Sequence, residues 1–152
     1  MHSGDARMPS GQPVLGNLRG ERARRLLAAG ALGGGALDLA FWLLYAAGVI
    51  TVGEGIARTY ETAFPAADAL LGIVLIAAGV ALRASRPAGP FLVVVAGSMA
   101  LYLGVLDLTF YLSHGLYRLT QPGTLWGLAL NLACIGGGTW ALYWGWRLWR
   151  AP

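Results

Sequence analysis

Four runs of apolar residues, 26–50, 66–82, 91–112 and 125–146, are separated by short polar stretches. A helix crossing about 30 Å of hydrocarbon needs about 20 residues. The first, third and fourth runs reach that length, and the second draws on residues at either end. Pro65, Pro90 and Pro122-Gly123 precede the last three runs. Proline suits a first helical turn, where its missing N–H costs nothing. Arg83, Arg86 and Pro87 close the second run. The pattern predicts an all-α integral membrane protein, a four-transmembrane-helix bundle over 26–150. Residues 1–25, rich in Gly, Pro, Ser and Arg, read as a disordered basic arm.

Composition agrees. The chain is 57% hydrophobic and 12% charged, against roughly 25% charged in an average soluble domain. Cys134 is the only cysteine, which excludes a disulfide within the chain and a redox pair. The net charge of +4 raises the question of nucleic acid. The placement of that charge answers it. All eleven basic residues are arginine, and they flank the apolar runs instead of forming one stripe. Nine of them lie in the N-terminal arm, the loop with Arg83 and Arg86, and the tail with Arg147 and Arg150; Arg58 and Arg118 occupy the other two loops. By the positive-inside rule, both termini are cytoplasmic and the loops near Arg58 and Arg118 face out. Trp140, Tyr143, Trp144, Trp146 and Trp149 form an interfacial aromatic belt at the inner end of the last run. A multi-pass protein of the plasma (cytoplasmic) membrane follows, with membrane lipid as a partner and no nucleic acid. The first run is too long for a cleaved signal peptide and is interrupted by Asp38, so it reads as an uncleaved helix.

The polar residues inside the runs carry the functional information. A carboxylate in mid-span costs about 2.5–3.5 kcal/mol on insertion scales, whereas interhelical polar bonds return only about 0.6 kcal/mol on average. Stability alone therefore explains such residues poorly, and ionisable groups in spans mark pockets and pathways. Asp38 is central in the first run. Asp68, Asp107 and Asn131 fall in the outer halves of the other three. Helical spacing places each on a small-residue stripe. These stripes are Gly30, Gly34, Asp38, Phe41 or Trp42, and Tyr45; Asp68, Gly72 and Gly79; Gly97, Gly104, Asp107, Tyr111 and His114; and Thr124, Gly127, Asn131, Cys134 and Gly138. With all stripes turned inward, the bundle has a narrow polar centre opening outward.

The predicted ligand pocket is Asp38, Trp42, Tyr45, Asp68, Asp107, Tyr111 and Asn131. The acid–base candidates are Asp107, Asp38 and His114, the last of these equally suited to capping its helix end. Glu54, Arg58 and Glu61 in the first outer loop have the spacing of a short amphipathic helix with an internal ion pair, and could form a lid. His2 and His114 are the only histidines, and no metal-ligand motif, phosphate loop or cofactor signature is present. Three functions fit. The first is a subunit that binds a lipophilic small molecule or docks a partner membrane protein or second copy. The second is a membrane enzyme using aspartate acid–base chemistry on an isoprenoid-like substrate, with aromatic groups shielding a cation. The third is a proton-coupled transporter or channel with Asp38 at the midplane.

Overall fold

The computed structural model of the chain describes residues 14–117 and 122–150. Among these there are five helices and no strand: α1 (Val14–Ala46), α2 (Gly55–Glu61), α3 (Pro65–Arg83), α4 (Ala88–Ser113) and α5 (Pro122–Trp149). Four are long and apolar enough to cross a membrane: Gly20–Ala46 within α1, all of α3, all of α4, and Gly123–Trp149 within α5. These are the four predicted runs, and α2 is the short helix expected in the first loop. His2, Arg7 and Arg118 lie outside the described residues.

The expected disordered arm is corrected over 14–25, where α1 is already helical. Glu21 accounts for part of this. Its two carboxylate oxygens take Arg24 and Arg25, each at 2.9 Å, at the i+3 and i+4 positions that support a helix turn. At the other end α1 stops at Ala46, short of the predicted residue 50. Gly48 turns left-handed (φ 72°). Its N–H bonds Tyr45 O and the Val49 N–H bonds Leu44 O, both at 2.9 Å, the pairing of a Schellman cap. Gly115 (φ 62°) closes α4 in the same way. So does Ser85 (φ 54°) at the end of α3, a non-glycine residue in a conformation that favours glycine.

The helices pack in chain order, α1 on α3, α3 on α4 and α4 on α5, while α1 and α5 meet only sparsely. At the arginine-rich end all four contribute to one core: Leu27 and Ala28, Ala78 and Leu82, Val93, and Ala141 and Trp144. A second core, around Leu71, Ala96 and Leu103, is built by α3 and α4 with Phe64. The four helices thus form a bundle closed at the arginine-rich end and open along the α1–α5 side towards the other. Two broad contacts, α1–α3 and α4–α5, leave no matching one to close the ring.

Glycines set the close approaches. A Cβ on Gly35 would stand 2.6 Å from Gly72 O, one on Gly97 2.9 Å from Gly138 O, and one on Gly138 2.7 Å from Gly97 O. Backbones meet directly at these points, as small residues allow in membrane helices. The predicted stripes hold at Gly72, Gly79, Gly97, Gly104 and Gly138. On α1 the contact position is Gly35, not Gly34, and Gly30 has nothing near it. Gly127 on α5 is likewise open. With three successive glycines at 33–35, apolar spacing alone does not tell adjacent positions apart.

Candidate functional site

The polar residues of the spans gather in the half of the bundle away from the arginines. Asp38 and Trp42 are one turn apart on α1. Gly72 makes room for the first, since a Cβ there would come 2.9 Å from Asp38 Oδ2. Trp42 is buried and donates its indole N–H to Asp68 Oδ2 at 3.1 Å. Phe41, the alternative facing residue, is exposed. Tyr45 lies edge-on to Trp42, with ring centroids 5.4 Å apart.

On the other flank of α3, the site is completed by α4 and α2. Tyr60 of α2 donates to Asp107 Oδ1 at 2.9 Å, and Tyr111 of α4 donates to Glu61 Oε1 at 2.7 Å. These two bonds run in opposite directions across one interface. Tyr60 also stacks flat on Phe110, with centroids 3.6 Å apart. Burial, and then the bond to Asp107, hold the Tyr60 phenol well above its ordinary range, so it remains a donor at neutral pH. Ionisation would abolish that donor, so this contribution to docking is present below the usual phenol range and is lost as pH rises through the raised value.

On α5, Asn131 is the one polar residue buried among those described. It donates to the Tyr117 hydroxyl at 2.9 Å. Tyr117 lies beside Tyr111, with centroids 5.3 Å apart. Burial raises its phenol as well, while the bond from Asn131 works in the opposite direction. Hydrogen bonds and ring contacts thus form two groups, Trp42–Asp68 beside Asp38, and Asp107–Tyr60–Tyr111–Glu61 continuing through Tyr117 to Asn131.

Two features set the electrostatics. Among the described residues the ion pairs are those of Glu21 with Arg24 and Arg25, at the opposite end. The carboxyls of Asp38, Asp68, Asp107 and Glu61 therefore have no basic partner there. Asp68, Asp107 and Glu61 each accept a bond from a neutral aromatic donor, whereas Asp38 Oδ2 is buried against the Gly72 backbone and has no side-chain donor. No group of three or more His, Cys, Asp or Glu among the described residues is arranged to hold a metal ion.

The structure thus brings together Asp38, Trp42, Tyr45 and Asp68, and separately Asp107, Tyr111 and Asn131. His114 stands apart from the carboxyls. It caps α4, with its ring Nδ1 2.9 Å from Phe110 O and 3.1 Å from Ser113 Oγ. The expected Glu54–Arg58 pair is corrected too. Glu54 is the exposed N-cap residue of α2, Arg58 is exposed, and no ion pair joins them. The helix docks through Tyr60 and Glu61. Tyr60, Phe110 and Tyr117 escaped the sequence reading because they lie in a loop helix, beside a stripe and beyond a helix end. The one available signal was aromatic residues at both ends of the loop–helix pair. Comparison of the chain with family models, curated proteins and solved structures finds no match.

Proposed function

We propose that the chain is a plasma-membrane protein that crosses the bilayer four times with both termini cytoplasmic. In its outer half it binds a lipophilic molecule carrying a hydrogen-bond donor or a cationic group. The observation that carries the reading is Asp38 Oδ2, a buried carboxylate oxygen with no side-chain donor among neighbouring carboxyls that each have one. An unsatisfied buried acceptor costs about 1–3 kcal/mol, more when charged. A ligand donor there would recover that cost. Among the described residues the four carboxyls have no basic partner, which favours a positive or proton-donating head group. Trp42, Tyr45 and Tyr111 supply ring faces suited to the apolar or cationic parts of such a molecule. The sparse α1–α5 contact would give a route from the lipid, and α2, tied to α4 through Tyr60 and Glu61, would cover the outer mouth.

The test is mass spectrometry of the protein gently extracted from its host's membranes, reading small molecules and proteins together. One enriched lipophilic compound is expected, with recovery lowered about ten-fold in Asp38→Asn and Asp107→Asn, the worth of one charge-assisted hydrogen bond. A stoichiometric protein partner without such a compound would overturn the ligand reading and make the carboxyls docking groups. The orientation has its own check. A cysteine placed at Gly55 in a Cys134→Ser background should be labelled by an impermeant reagent on intact cells. Labelling only after lysis would invert the topology.

A further inference from the structure

At the arginine-rich end, a crevice of about 530 Å³ opens between the start of the α1 span, the α3–α4 turn and the end of α5. Its polar side is Arg24, Ser85 and Arg86, and its apolar side includes Pro87, Leu148 and Trp149. Arg24 is held in place, donating to Ser85 Oγ and to Glu21, each at 2.9 Å. Ser85 adopts the left-handed position at the α3 end, where glycine would be unstrained, and there its hydroxyl meets Arg24. The Arg86 side chain is exposed and makes no ion pair among the described residues. Trp149 packs on Phe91, with ring centroids 5.7 Å apart, and leaves about half of its surface open.

From this arrangement we infer a second site, for an anionic phospholipid, whose phosphodiester is held by Arg24, Arg86 and Ser85 while its acyl portion lies along Pro87, Leu148 and Trp149. Paired guanidiniums and a hydroxyl match phosphate oxygens. Basic crevices between membrane helices at the cytoplasmic face suit anionic head groups. A free phosphate would use the polar side and leave the apolar side without a role. The lipid would bridge α1 to α5 at the end where these helices come together. The inference relies on the membrane placement proposed above and not on the outer ligand.

The test is lipid titration of the purified full chain in a neutral detergent, followed by native mass spectrometry. Phosphatidylglycerol is expected to bind about ten-fold more tightly than phosphatidylcholine. Arg86→Gln and Arg24→Gln should each remove most of that preference, whereas Arg150→Gln, which lies over the Trp146 ring at 4.3 Å, should keep it. Arg24 also holds Ser85 and Glu21, so Arg86→Gln decides the matter if the Arg24 variant misfolds. Equal binding of the two lipids, or an unchanged preference in Arg86→Gln, would overturn the site. Inorganic phosphate competing as well as phosphatidylglycerol would overturn its assignment to lipid.

Discussion

Trp42→Ala is expected to destabilise the fold by about 4 kcal/mol, the middle of the range for truncating a buried aromatic side chain. Trp42 is 8% exposed and meets Phe41 and Tyr45 edge-on, at centroid distances of 5.2 and 5.4 Å. Truncation opens a gap between α1 and α3 and removes the donor to Asp68. Trp42→Phe keeps most of the ring and loses the N–H, so its cost should be that of the orphaned acceptor, about 1–3 kcal/mol. Unfolding of purified variants in mixed micelles by a denaturing detergent separates the two terms. In a Trp42→Phe, Asp68→Ala cycle the double variant should cost less than the sum of the two single ones, because each removes the same bond. Equal losses for Trp42→Ala and Trp42→Phe would mean that the ring packs against nothing of consequence, and strict additivity would remove the indole–carboxyl bond from the account.

Gly138→Leu should separate α4 from α5 and cost on the order of 3 kcal/mol or more, at the high end of overpacking. Its Cβ would meet Gly97 O at 2.7 Å and Leu101 N at 2.8 Å, both backbone atoms that no rotamer change moves away. Gly136→Leu provides the contrast. Nothing lies within 4 Å of a Cβ at Gly136, so the same residue two positions away should change stability by no more than about 0.5 kcal/mol. The same unfolding assay reads both. If the two variants behave alike, the glycines of α5 owe their place to composition and not to helix contact.

Much of the architecture was legible in the sequence, because membrane helices need length and hydropathy above all. The four runs and the loop helix are in place, and prolines and arginines mark most of their ends. Side-chain partners were less legible. A stripe gives the face of a helix but not its neighbour, so the shift from Gly34 to Gly35 was invisible until α3 was laid against α1. The candidate pocket residues were found by their cost in an apolar span. Tyr60 and Tyr117 carry no such cost in loops, and only the fold brings them to Asp107 and Asn131. The arm was misread because Glu21, alone among arginines, has value only once helix spacing brings Arg24 and Arg25 to it.

The unequal helix contacts bear on how the chain is made. The broadest contacts join α1 to α3 and α4 to α5, and the α3–α4 contact between these pairs is smaller. Each pair is an antiparallel hairpin contiguous in sequence. The first can therefore form while the second is still being synthesised. The turn at 84–87 is then a natural point of division: two separately expressed halves, each one hairpin, already contain their broadest interfaces and rebuild the whole through the α3–α4 seam and the shared core at the arginine-rich end.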